Sequence, residues 1–360
     1  MKKISIYVKD MNYDPSSYYR IIQYTSKIPD CDFFYHPQLS EKQYKKYMPI
    51  SKKSLFVKVY LQISIMIKML FALVEDSKNK VDIIIISRRI INRCFPKIYI
   101  LLLESLREKG VKIYWDFDDH ILESKEVTQS TFDFLAEISD KIIVTHSFLR
   151  ELVLEKYRDK VVLLPTTDGD IYLKYDRVIH KNRMELLKKE IRMIWVGTSV
   201  NLNFLVPLIP ILDYIAVSLQ KDIILNIVCN EKIEINTKKL VINNIKWTRD
   251  VALVSMYDAH IGLMPLIDSE FTKGKGGFKL IQYLSAALPI IGSNVGFNKD
   301  VCDDSVGKLL DDIYNRDDLL LTIKNIVDNW EALSLNALER WHQNFSFEKS
   351  LNFWKKLLLD

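Results

Sequence analysis

Glycine is scarce in this chain, at ten of 360 residues, under half the usual ~7%. Cysteine is scarcer still. Cys31, Cys94, Cys229 and Cys302 stand far apart, with no CxxC pair and no histidine at ligand spacing beside them. That pattern excludes a disulfide scaffold and a zinc ribbon, and a reduced chain is expected. An excess of one charge is also missing: 51 Lys and Arg against 46 Asp and Glu leave a net charge of +5, well short of a dedicated nucleic-acid binder. No nucleic-acid partner is expected. The apolar run 59–74 is 16 residues long, is interrupted by Gln62 and Lys68, and falls short of the ~20 residues that span a bilayer. The first residues, MKKISIYV, become polar too soon for a signal peptide and read as a strand.

What is present is a globular composition, 48% hydrophobic and 27% charged, at a length that fits two domains of roughly 150 residues. Short β-branched runs alternate with amphipathic stretches: 4–8, 83–87, 112–115, 141–145 and 161–164 in the first half, each followed by helix-length sequence. Continuous apolar strands of this kind are buried on both faces, the mark of a parallel sheet in an α/β layer. Residues 166–190 are charged and aperiodic and read as a linker. The rhythm restarts at 192–196 and continues through 223–228, 240–246, 260–264, 289–293 and 306–310, with helical sequence at 315–341 and 347–358.

Eight of the ten glycines lie between 197 and 307. Glycine is kept where backbone turns tightly or approaches a ligand, which directs attention to the second half. There, a strand ending at Met264 feeds a loop in which Gly274, Gly276 and Gly277 interleave with Lys273 and Lys275, followed by a helix carrying Phe278, Lys279 and Gln282. Bare amides at a helix N-terminus with ammonium groups beside them make a phosphate cradle. A lysine-bearing surface turn is the plainer alternative. The spacing matches neither GxxxxGK[ST] nor GxGxxG, so a P-loop NTPase or a dinucleotide dehydrogenase is unsupported. A second strand-to-helix turn, Gly197-Thr198-Ser199 followed by Asn201, has the same character. A third cluster, Asp116, Asp118, Asp119 and His120, follows a buried strand. Crowded carboxylates raise one another's pKa and can keep a base available near neutrality; Mg²⁺ coordination or helix capping are alternatives. The remaining histidines lack partner spacing and read as structural.

Residues 260–298, HIGLMPLIDSEFTKGKGGFKLIQYLSAALPIIGSNVGFN, resemble the donor-binding segment of glycosyltransferase family 4, a large group with the GT-B fold. MIWVGTSVNLNFL, LLPTTDGDIY and SYYRIIQY are similar to other parts of that family. The resemblance implies two Rossmann-like domains with parallel sheets facing across a cleft. Residues 1–175 would be the acceptor domain, 190–342 the nucleotide-sugar domain, and the helix at 343–360 would pack back on the first. It also implies transfer of a sugar from a UDP- or GDP-sugar to a glycan or lipid-linked acceptor in surface polysaccharide synthesis, with retention at the anomeric carbon and neither metal nor further cofactor. Gly276 and Gly277 would offer amides to the sugar and diphosphate, with Lys275 or Lys279 as neutralising charge. Gly197 and Thr198 would approach from the other turn, and Trp247 and Arg249 would lie near the base. Two family glutamates align with Gly274 and Gln282; the second can still bond ribose hydroxyls. Asp116, Asp118 or Asp119 would orient the acceptor hydroxyl or donor sugar, and Arg20 would contact an anion.

Two rivals accompany this reading. The run Trp115-Asp116-Phe117-Asp118 imitates the DxD of haloacid-dehalogenase-like phosphatases, although His120 stands where Thr or Val is usual. The missing acids at 274 and 282 also fit a nucleotide-binding relative without turnover. Residues 41–58 carry Lys42, Lys45, Lys46, Lys52, Lys53 and Lys58 against Glu41 alone. Beside the apolar run 59–74, such a stretch can lie on an anionic membrane surface, while a core helix with a solvated basic loop is the plainer alternative. The expected location is the cytoplasm, or peripherally the inner face of its membrane.

Overall fold

The computed structural model describes residues 1–12, 14–51, 54–93, 95–169 and 175–360, with the backbone alone for 48–51. Lys52, Lys53 and Cys94 therefore lie outside the described residues. The chain divides into two compact units, Met1–Thr166 together with Glu348–Asp360, and Thr167–Phe347.

In the first unit, β1 (Lys2–Val8), β2 (Cys31–Pro37), β3 (Ile83–Ser87), β4 (Lys112–Phe117), β5 (Lys141–Val144) and β6 (Val161–Leu163) form one parallel sheet in the order β2-β1-β3-β4-β5-β6. Burial on both faces explains the unbroken isoleucines of β3, all of whose residues are buried. Strand β2 gives no signal in the sequence because it is an edge, paired with β1 on one side, and of its seven residues Cys31 alone is buried, four are half-buried and two exposed. A mixed polar and aromatic run carries no buried-strand signal. Trp115 packs against Phe117 and Phe132 at centroid distances of 4.6 and 4.9 Å. The helix Phe347–Leu359 joins this unit through buried Trp354 and Leu358; the Tyr114 hydroxyl donates to the Leu357 carbonyl at 3.3 Å, and Lys2 Nζ to that of Leu359 at 2.9 Å.

In the second unit, β7 (Glu190–Val196), β8 (Asp222–Cys229), β9 (Val241–Lys246), β10 (Ile261–Met264), β11 (Ile290–Ser293) and β12 (Gly307–Leu310) form a second parallel sheet in the order β12-β11-β10-β7-β8-β9. The expected linker contains a helix, Arg177–Leu187, opened by Asp176, whose side chain accepts from the Ile179 amide. Its polar sequence hid it, since it buries only Arg183 and Leu187. Arg183 is nevertheless fully buried and donates to the carbonyls of Met256 (2.7 Å), Tyr257 (2.8 Å), Ala286 (2.9 Å) and Ala287 (3.2 Å). Those carbonyls end the helices Arg249–Tyr257 and Phe278–Ser285, where a cation complements the dipole. Cys31, Cys229 and Cys302 are buried free thiols.

Candidate functional site

Each sheet is parallel and has one point where successive connections leave in opposite directions. Ligands of open α/β sheets bind at the carboxyl ends of the strands flanking such a point. In the second unit the point lies between β7 and β10. The turn 197–201 follows β7, the segment 265–282 follows β10, and Trp247 with Arg249 follows β9, so all these residues occupy the carboxyl edge.

The β10 segment is held by short-range devices. Ser269 and Thr272 form a capping box over the turn Glu270–Lys273. Ser293, at the end of β11, accepts from the Leu266 amide and donates to its carbonyl at 2.8 and 2.7 Å. The helix Phe278–Ser285 opens on Gly277, which adopts φ 58° and brings no side chain to the helix end. Only glycine enters this left-handed conformation without cost. Tyr283 fixes the helix against the sheet: its hydroxyl donates to the Leu263 carbonyl and accepts from the Val196 amide, each at 3.2 Å. Its ring fills the space where a Cβ on Gly262 would stand, 2.4 Å away. Lys273 is engaged by Asp268 and Glu270, and this pairing raises its pKa. Lys275 and Lys279 are half-buried on the same segment, and Lys275 Nζ lies 4.3 Å from the centroid of the Phe271 ring.

Three sequence expectations for this edge change in detail. Gly197 cannot lend its amide to a diphosphate, because that N–H donates to the Val228 carbonyl at 3.1 Å. The glycine is required by its neighbour: a Cβ there would come within 2.3 Å of the Trp195 indole. Thr198 accepts from Asn201 Nδ2 at 3.0 Å, so the two side chains form a local turn. Gln282 is buried and its Nε2 donates to Asp168 at 2.9 Å. Asp168, in the TTDGD run, is a neighbour that the sequence reading did not identify.

In the first unit the corresponding point lies between β1 and β3. Arg88, the residue after β3, holds φ 63°, an unusual conformation for a long side chain. The Arg88 amide donates to the Asp116 carbonyl at 2.6 Å, and its carbonyl accepts from Trp115 Nε1 at 3.0 Å. Its guanidinium reaches Ser16 (2.9 Å), Asp118 (3.2 Å), Asp119 (3.3 Å) and Glu126 (2.7 Å), and Ser16 donates to Asp118 at 2.7 Å. Arg89 pairs with Glu126 as well. Burial, outweighing the opposing Arg88 and reinforced by Asp119, pushes the Asp118 carboxyl up to about 6. Arg88 and Ser16 were not identified in the sequence, where the pair Arg88-Arg89 after a strand was the available signal.

Asp116 and Arg20 are not presented to a ligand. Both are fully buried, and Arg20 Nε contacts both Asp116 oxygens at 3.0 and 3.1 Å. The remaining donors of Arg20 reach Asp116 again, the Leu164 carbonyl and Thr166. This pair joins the first helical segment, β4 and the end of β6, which is a structural role. It also removes the phosphatase reading, because a nucleophilic Asp116 would have to be open to substrate and is enclosed by a guanidinium instead. Of the three acids, Asp118 and Asp119 remain accessible, with side chains 15% and 45% exposed.

No family model matches this chain, and neither does any curated protein. Solved structures do. A glycosyltransferase from Rickettsia africae aligns over 99% of this chain and 97% of its own, with a TM-score of 0.64 and 13% identity. HepE of Anabaena, in complex with UDP and glucose, aligns over the whole of both chains with a TM-score of 0.64 and 10% identity. Sucrose-phosphate synthase from Thermosynechococcus elongatus aligns over 99% and 98% with a TM-score of 0.60 and 13% identity. With two six-stranded parallel sheets and full-length alignment to these proteins, the chain has the α/β architecture of the GT-B glycosyltransferases.

Proposed function

We propose that this protein is a glycosyltransferase that moves a sugar from a nucleoside-diphosphate-sugar, UDP first among the candidates, to a glycan or lipid-linked acceptor, with retention at the anomeric carbon. The observation that carries the reading is the Gly277 opening of the helix Phe278–Ser285 at the carboxyl edge, with Lys275 and Lys279 on the same segment. Amides at a helix start and nearby ammonium groups stabilise the charge that grows on a departing diphosphate, in place of a metal. Gly276, Gly277 and Phe278 supply backbone to the donor, Trp247 and Arg249 stand toward the base, and Thr198 and Asn201 offer hydrogen bonds to sugar or ribose hydroxyls. Asp118 and Asp119, ordered by Arg88, orient the acceptor hydroxyl. The UDP held by HepE supports testing UDP-sugars before GDP-sugars.

A thermal-shift screen across nucleoside diphosphates and their sugars tests the donor, since a ligand bound only by the folded state raises the melting temperature. Lys275→Ala is expected to weaken UDP binding about tenfold while leaving uridine binding nearly unchanged, as loss of one phosphate-facing charge costs about 1–2 kcal/mol. Calorimetry measures both, and equal losses on both ligands would contradict the phosphate role. A second reading, binding without turnover, draws on Gln282 being buried against Asp168 and on Gly274 lacking a side chain. Tight UDP binding with no hydrolysis or transfer from any donor sugar would select it.

A further inference from the structure

We propose that the exposed face of the helix Leu55–Asn79 lies on the surface of a bilayer containing anionic lipids. This 25-residue helix is apolar on two opposite sides. One side places Leu61, Ile65, Met69, Ala72 and Leu73 in the core, together with Asp76, which accepts from the hydroxyls of Ser5 (2.5 Å) and Tyr7 (2.6 Å). At 100° per residue the opposite side is Phe56, Val59, Tyr60, Ile63, Ile67 and Phe71, all exposed, with Phe56 at 83% and Phe71 at 68%. Between Phe56 and Val74 this stripe carries no charged residue, over roughly 27 Å at 1.5 Å per residue. Tyr99 of the neighbouring helix Lys97–Glu108 donates to the Met66 carbonyl, and that helix adds exposed Ile98 and Leu101.

A surface helix of a soluble domain is ordinarily polar on its outer face, and a contiguous apolar stripe this long marks an interaction site. Because the inner face is committed to the core of the first unit, the helix cannot cross a membrane and can only lie along one. Charge selects the occupant. Residues 41–74 hold seven lysines and one acid, Glu41, which is paired with Lys45 at 2.7 Å. Lys42 and Lys46 of the preceding helix Glu41–Ser51 are exposed, and Lys46 Nζ lies 5.0 Å from the Tyr47 ring, which itself contacts Tyr60 of the stripe at a centroid distance of 6.1 Å. Lysines bordering an apolar stripe edged with tyrosine and phenylalanine match a headgroup layer in which the rings sit at the interface and the ammonium groups meet lipid phosphates. A second copy of the chain would bring an equally basic surface against this one.

Sedimentation of the full chain with vesicles tests this. Pelleting is expected with vesicles of phosphatidylglycerol and phosphatidylcholine in equal parts, and much less with phosphatidylcholine alone. Phe56→Ser with Phe71→Ser is expected to abolish pelleting, and Lys42→Glu with Lys46→Glu to weaken it at least about tenfold on the anionic vesicles only. All four side chains are exposed, and unaltered circular-dichroism melts verify the fold. Wild-type protein remaining in the supernatant, or the serine variant pelleting like wild type, overturns the proposal. So does a concentration-dependent dimer broken by the serine substitutions without vesicle binding, which assigns the stripe to a second copy. The assay contains no sugar donor, so its outcome is independent of the transferase reading.

Discussion

At Arg20 and Asp116 the chain commits a fully buried ion pair to architecture, and this leaves Asp118 and Asp119 as the accessible carboxylates that follow β4, of which Asp118 has the raised pKa. The Asp118 pKa of about 6 lies above the ordinary 3.8, so the folded state holds this proton more tightly than the unfolded chain. Stability contributed by the group is therefore present at low pH and lost as pH rises from about 4 through about 6. Asp118→Asn is expected to flatten that part of a melting-temperature profile, and to remove a rise in transfer rate through about pH 6 if the carboxylate orients the acceptor. A wild-type profile indistinguishable from the variant's in both measurements would refute the assignment. In the sequence the three acids looked equivalent. Their separation into a buried strut and two accessible carboxylates depends on Arg20 and Arg88, 96 and 30 residues away respectively, and local spacing carries no trace of partners so distant.

Among the elements, the helix Phe278–Ser285 is clamped at its far end by Arg183 and along its length by Tyr283. Arg183 donates to backbone carbonyls, and burial lowers its pKa to about 10, so the guanidinium stays charged near neutrality. Arg183→Met takes the donor from the Tyr257 and Ala286 carbonyls, while Met256 keeps the Ala259 amide and Ala287 the Ser334 hydroxyl; at about 1–3 kcal/mol for each before relaxation, a loss of about 2 kcal/mol or more in urea unfolding is expected. Arg183→Lys should recover little, because one ammonium cannot span four carbonyls as the planar fork does; full recovery by lysine would show that charge alone suffices. The strands are readable because β3 and β10 are apolar nearly throughout and β4, β5, β7 and β8 each hold an apolar run of three or four residues. The Arg177–Leu187 helix was not, since an arginine used as a buried helix cap looks like any surface charge. Gly197 was located correctly as a special position but for another cause, the Trp195 indole against it.

For the molecule as a whole, the order of chain and the order of contacts differ. The first unit takes its last element, Phe347–Leu359, from the far end of the sequence, after the entire second unit has intervened. Removing residues 349–360 strips Trp354 and Leu358 from the first unit alone. Loss of one buried tryptophan costs about 3–5 kcal/mol, so calorimetry is expected to show the first unit melting earlier while the second keeps both its transition and its UDP-dependent shift. A uniform fall of both transitions would mean that the terminal helix stabilises more than the unit it packs on.

The same return of the chain has a consequence for biosynthesis. Residues 1–166 leave the ribosome long before the helix that completes their core, and the 181 residues from Thr167 to Phe347 come between. At about 5–20 residues per second this is a wait of roughly ten to forty seconds. Through that interval the nascent first unit displays the apolar surface that Trp354 and Leu358 later cover, in addition to the exposed stripe of Phe56 and Phe71. Newly made chains thus present more apolar surface than finished ones, and chaperone capture should concentrate in that window and end when Leu358 is in place.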